Sequence, residues 1–114
     1  MDSKRSATRP SHKNMEPHIP IDMDKIKAFC EKWKVEEFSL FGSVLRDDFS
    51  PDSDVDVLVK ISDYSGIGLY EWMDMIEEME AIFGRKVDLV EAAALRNPYR
   101  RREIIRTKQV IYAR

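Results

Sequence analysis

Apolar residues recur along the chain at two periods, and the changes from one to the other mark its elements. Ile26, Phe29, Cys30 and Trp33 stand at i, i+3, i+4 and i+7, which predicts a helix from about Met23 to Lys34 with Asp22 or Asp24 as its cap. From Val35 to Phe41 the period drops to two: Phe38 and Leu40 alternate with Ser39 and Phe41, as a short strand requires. That strand ends at Gly42. A turn of helix over Ser43–Asp48 and turn chemistry in Phe49-Ser50-Pro51-Asp52-Ser53 follow. Asp54 to Ile61 reads as a second strand, with Val55, Val57, Val59 and Ile61 on one face. After a loop, helical spacing returns from about Ile67 to Phe83, with Leu69, Met73, Ile76, Met79 or Glu80, and Phe83 as its apolar stripe; Met73, Met75 and Met79 read as core filler. Gly84 is placed to end that helix. Lys86–Val90 reads as a third strand, Pro98 opens a basic helix through about Arg106, and Gln109–Tyr112 adds an edge strand.

The resulting order, α-β-β-α-β-α-β with a turn between the first two strands, predicts an α/β (α+β) domain: a small mixed sheet of three to four strands flanked by helices. Residues 1–20 break the pattern. They hold Pro10, Pro17 and Pro20 and no apolar period, so they read as a disordered tail before a single domain over 21–114.

Composition narrows the function classes. With Cys30 the sole cysteine, no internal disulfide or thiolate metal cluster is possible, and its place on the apolar stripe makes it a small core hydrophobe. Both histidines, His12 and His18, lie in the tail, which removes histidine chemistry from the folded part. No signal-peptide core and no long apolar segment is present, so a cytoplasmic protein with no membrane association is expected. The chain is −2 overall. Both ends are basic, the C-terminal one through Arg96, Arg100, Arg101, Arg102, Arg106, Lys108 and Arg114, so the body between them is strongly acidic. That balance argues against direct nucleic-acid binding. The Arg100-Arg101-Arg102 run reads as a solvated helix face or as a docking patch for an acidic partner or RNA; no interleaved aromatics favour RNA stacking.

Chemistry concentrates at three carboxylates. Asp54 and Asp56 are two apart on a strand, so both leave the same face, with Cα atoms about 7 Å apart. Val55 and Val57 commit the other face to the core, and two adjacent anions repel unless a cation intervenes. Asp88, between Val87 and Leu89, repeats the arrangement on another strand; if the two strands are neighbours, the three acids share a face. Hard oxygen ligands of this kind suit Mg²⁺. Gly42-Ser43, at the end of an apolar strand, lets a phosphate approach the backbone closely and offers amides and a hydroxyl to it.

These residues resemble a known signature. Gly42-Ser43, ten residues, then Asp54-x-Asp56 is similar to the G-S-x10-D-x-D pattern of the polymerase-beta-like nucleotidyltransferase superfamily. Leu40-Phe41-Gly42-Ser43-Val44-Leu45-Arg46 and Ser53-Asp54-Val55-Asp56-Val57-Leu58-Val59 resemble its two motif blocks, and Gly84–Val90 resembles the third-acid strand of its minimal members. Leu45 stands where the family has alanine, and Asp47-Asp48 where it has glycine and a small or acidic residue; Arg46 fits the family's arginine, or pairs with Asp47, Asp48 or Asp52. The resemblance implies two Mg²⁺ ions on Asp54, Asp56 and Asp88, ATP as substrate, and pyrophosphate held at Gly42 and Ser43. Minimal nucleotidyltransferases of this size are similar to antitoxins that transfer AMP to a tyrosine hydroxyl of a HEPN-domain ribonuclease toxin and inactivate it within a hetero-oligomer. The alternatives are neutralisation by binding alone and a small-molecule transferase with a separate acceptor-binding subunit.

Overall fold

A computed structural model of the chain describes residues 17, 19–47 and 49–114. Most of the expected tail, and Asp48, lie outside the described residues. Helix α1 (Met23–Trp33) is capped by Asp22, whose carboxylate accepts from the Lys25 amide at 3.2 Å. It stops at Lys34, which takes a left-handed conformation (φ 60°) so that its N–H closes on the Cys30 carbonyl. Strand β1 (Val35–Phe41) leads through a 3-10 turn (Gly42–Leu45) and a loop into β2 (Val55–Ile61). Helix α2 (Leu69–Phe83) begins where the Glu71 carboxylate accepts from the Gly68 amide at 2.9 Å, and ends at the left-handed Gly84. Strand β3 (Val87–Glu91), a short 3-10 turn (Ala92–Ala94), helix α3 (Pro98–Thr107) and strand β4 (Gln109–Ala113) complete the domain.

The four strands form one mixed sheet in the order β3-β2-β1-β4. β1 pairs antiparallel with β2 and β4, and β2 pairs parallel with β3. The parallel pair is possible because α2 carries the chain back across the sheet, which a tight turn cannot do. The mixed sheet with helices expected from the sequence is thus the fold found.

The main core lies where the strand periods place it. Phe38 and Leu40 of β1, Val55, Val57, Val59 and Ile61 of β2, and Val87 and Leu89 of β3 pack against Ile26, Phe29 and Cys30 of α1 and Met75 and Met79 of α2. Ile19 also packs here, although the sequence assigns it to the tail. The α2 stripe differs from expectation: Leu69 and Met73 are exposed, at 73% and 50%, while Met75 and Met79 are fully buried. The helix meets the sheet on the side centred on Met75 and Met79, and of the three methionines only Met73 is not filler.

The second sheet face is not left open. Phe41 and Leu58 on that face bury themselves against Ile104 of α3, with Val90, Ala92 and Leu95 around them. α3 starts with Asn97, whose side-chain carbonyl accepts from the Tyr99 and Arg100 amides at 2.9 and 3.2 Å, and with Pro98 in its first turn. This helix covers part of the face that carries the carboxylates and makes a wall beside them. No helix among the described residues is long and apolar enough to cross a membrane.

Candidate active site

The register of the sheet assembles the site. Phe41 lies opposite Asp56 across the β1–β2 ladder, so the turn that follows Phe41 passes directly over Asp56. Asp56 in turn lies opposite Asp88 across the parallel β2–β3 pair. Two carboxylates therefore share a rung on the face away from the main core. Asp54 stands just before β2, where the Val55 amide donates to the Lys86 carbonyl at 3.0 Å and locks the strand start to β3.

Gly42 has no side chain for two reasons. Its φ is +75°, and a Cβ at this position would come within 2.3 Å of the Asp56 carboxylate oxygen. Backbone and carboxylate are therefore in contact, and the glycine sets how closely the turn approaches the acid.

The electrostatics of Asp56 follow from this packing. Burial is the largest influence and raises its pKa above the ordinary aspartate value; the charges of Asp88 and then Asp54 raise it further. The Arg100 guanidinium and the Ser43 backbone amide pull it back down. Part of the donor capacity expected of the Gly42-Ser43 turn is thus turned toward Asp56.

The three acids offer hard oxygen ligands, and Asp56 is the half-buried member whose charge is incompletely compensated. That combination fits a divalent cation. Among the described residues, no three His, Cys, Asp or Glu side chains already stand close enough to enclose an ion. Asp54 and Asp88 are exposed, so a closed ligand shell requires their side chains to turn toward Asp56.

Beside the carboxylates lies a cavity of about 350 Å³, lined by Phe41, Gly42, Leu45 and Arg46 on one side and by Arg100, Glu103, Ile104 and Thr107 of α3 on the other. The loop that leads to Asp54 is held by Arg85. Its guanidinium lies 4.7 Å over the Phe49 ring and donates to the Ser50 and Ser53 carbonyls at 3.2 and 3.4 Å.

A family model described as a nucleotidyltransferase domain matches residues 23–111. The chain belongs to the nucleotidyltransferase domain family. This nucleotidyltransferase is 35% identical over 78 residues to a Methanocaldococcus jannaschii relative described as a protein adenylyltransferase, an alignment covering 68% of this chain and 78% of that one. It is 35% identical over 71 residues to the protein adenylyltransferase MntA of Thermococcus cleftensis, covering 62% and 70%. Among solved structures, its fold resembles a toxin–antitoxin crystal structure with AMP-PNP (TM-score 0.66, 17% identity, 82% of this chain and 75% of that one). It also resembles a minimal nucleotidyltransferase (TM-score 0.59, 26% identity, 77% and 94%).

Two residues of this nucleotidyltransferase were given no role by the sequence motifs. Arg85, inside the Gly84–Val90 block, secures the loop before Asp54, and nothing in the sequence marks that role, because its partners are backbone carbonyls more than thirty positions away. Arg100 was legible only as one arginine of a basic run. In the structure it lines the cavity beside Gly42 and its charge acts on Asp56, whereas Arg101 and Arg102 line other surfaces of α3.

Proposed function

We propose that this nucleotidyltransferase transfers AMP from ATP to a tyrosine hydroxyl of a HEPN-domain ribonuclease toxin, acting as its antitoxin in a hetero-oligomer. The observation that carries the reading is the pairing of Asp56 with Asp88 under the Gly42 turn. The support for the acceptor comes from the relatives. Several related chains are described as protein adenylyltransferases, and a structure similar in fold holds a tri-AMPylated Shewanella oneidensis HEPN toxin with its antitoxin (TM-score 0.59, 17% identity).

In this reading Asp54, Asp56 and Asp88 hold Mg²⁺, two ions by family resemblance, which would neutralise phosphate charge and favour the hydroxyl as a nucleophile. Gly42 and Ser43 border the triphosphate, where the absence of a Cβ keeps the backbone within reach of it. The tyrosine oxygen attacks the α-phosphorus, the bond to the β-phosphate oxygen breaks, and pyrophosphate leaves. The hydroxyl proton would pass to the carboxylate side, where Asp54 and Asp88 are both exposed. The work of the chain is positioning and charge compensation.

The decisive experiment mixes the chain, ATP, Mg²⁺ and its cognate HEPN-domain partner, and reads the partner's mass. Gain of one or more AMP units that disappears with Asp54→Ala/Asp56→Ala supports the reading. Protection by that double variant, with no AMP on the partner, would instead establish neutralisation by binding.

A further inference from the structure

We propose that Arg100 binds the polyphosphate of the nucleotide from the α3 side of the cleft, so that the triphosphate lies between this guanidinium and the Gly42–Ser43 turn. The proposal rests on the nucleotidyltransferase reading of the site and names a residue that the signature motifs do not contain.

The periodicity of α3 separates Arg100 from its neighbours. Arg100, Glu103, Ile104 and Thr107 stand at i, i+3, i+4 and i+7 and together form one wall of the cavity whose opposite wall is Phe41, Gly42, Leu45 and Arg46. Ile104 is buried against Phe41 and Leu58, which fixes the helix on the sheet and fixes the side on which Arg100 emerges. Arg101, Arg102 and Arg106 line different surfaces. The helix start is anchored as well, because the Asn97 side chain accepts from the Arg100 amide.

Arg100 makes no ion pair or side-chain hydrogen bond among the described residues. The nearest acid on its own face, Glu103, is engaged with Arg106 at 2.7 Å. The guanidinium therefore keeps its donors on a cavity that it shares with the Gly42 turn. A guanidinium is a planar fork that matches phosphate oxygens two at a time, and here the cavity it lines is made partly apolar by Phe41, Leu45 and Ile104. Simple compensation of the acids would give this arginine a direct carboxylate partner, which it lacks. A polyanion entering between Gly42 and α3 would supply the missing acceptor.

The test is equilibrium binding of a non-hydrolysable ATP analogue and of AMP, both with Mg²⁺, to the full chain and to Arg100→Ala, Arg100→Lys and Arg102→Ala, each checked for its melting temperature. Arg100→Ala is expected to weaken the analogue about 10- to 100-fold and to leave AMP within about twofold, since AMP has no β- or γ-phosphate. Arg100→Lys should fall between, keeping the charge and losing the fork. Arg102→Ala, which removes an equal charge from another face, should bind like the parent chain. Equal weakening of the analogue and AMP by Arg100→Ala would overturn the proposal, as would equal loss in Arg102→Ala or an analogue affinity within twofold of the parent. If the parent chain binds neither nucleotide, the nucleotide-binding reading itself fails and this proposal with it.

Discussion

At the scale of single residues, function and stability pull in opposite directions around Asp56. The alternation of Val55, Val57 and Val59 made the common face of the acids readable in advance, and the motif spacing named the glycine. The contact between Gly42 and Asp56 was not readable, because it depends on Phe41 being the rung partner of Asp56. Gly42→Ala meets both a strained φ and a carboxylate 2.3 Å from the new methyl group. It is expected to cost about 1–3 kcal/mol in chemical denaturation and to abolish AMP transfer even where the variant remains folded. Asp56→Asn should act the other way on stability. Burial and the charges of Asp88 and Asp54 disfavour the ionised form. In a buffer with a chelator, the neutral amide is therefore expected to raise the melting temperature by about 1–4 °C while transfer activity is lost. A melting temperature that falls would show that the charged carboxylate is held by partners that outweigh its repulsion. Cys30 is a quieter case: burial first, and then Glu31, push its thiol up to about 12, so it stays protonated and serves as core, as its place on the α1 stripe indicated.

At the scale of elements, caps and periods were the legible part and inter-element cover was not. Asp22, Gly84 and Pro98 mark helix ends by their own backbone chemistry, so the ends were visible locally. α2 carries enough apolar residues to draw two overlapping stripes, and only the sheet chooses between them; it chose Met75 and Met79 and left Leu69 and Met73 outside. The basic run of α3 read as a solvated face or a docking patch, and its cover of the sheet went unread because a single isoleucine, Ile104, does the burying. The end of α1 offers an independent check on backbone reasoning. Lys34 sits at φ 60° as the C-cap, a conformation that glycine adopts at no steric cost. Its exposed ion pair with Asp63, at 3.5 Å, contributes little. Lys34→Gly is expected to stabilise the fold by about 0.5–1 kcal/mol, read as a shift in denaturation midpoint with an unchanged slope. At the other sheet edge, Lys108 of the α3–β4 connection hydrogen-bonds Glu37 of β1, chiefly by that contact holding the Glu37 carboxyl below its ordinary range. A depressed carboxyl contributes stability that is present at neutral pH and is lost as pH falls through the lowered folded value. Glu37→Gln should therefore be about 0.5–1 kcal/mol less stable than the parent at pH 7, and the two should converge in acid below the ordinary glutamate range.

At the scale of the whole molecule, the sheet order decides what the domain does. The antiparallel β1–β2 pairing places the Gly42 turn above β2, and the parallel β2–β3 pairing brings Asp88 alongside Asp56; neither pairing can be deduced from strand periods taken one at a time. The result is a cleft between α3 and the Gly42 turn, lined by Arg46 and Arg100, beside a half-buried carboxylate whose repulsion is only partly relieved. Such a site should bind its ligand only in the folded state, and ligand binding should then appear as stability. With Mg²⁺ fixed, a non-hydrolysable ATP analogue at about a hundred times its dissociation constant is expected to add about 2.7 kcal/mol, a rise in melting temperature on the order of 10 °C for a domain of this size. The gain should grow with the logarithm of analogue concentration and shrink when Mg²⁺ is chelated. In Asp54→Ala/Asp56→Ala the dependence on Mg²⁺ should disappear, although the variant starts from a higher melting temperature because two mutually repelling charges are gone. A double variant that still gains the full Mg²⁺-dependent increment would place the nucleotide somewhere other than the Gly42–Asp56–Asp88 rung, because no other part of the described surface pairs a close-approach glycine with opposed carboxylates.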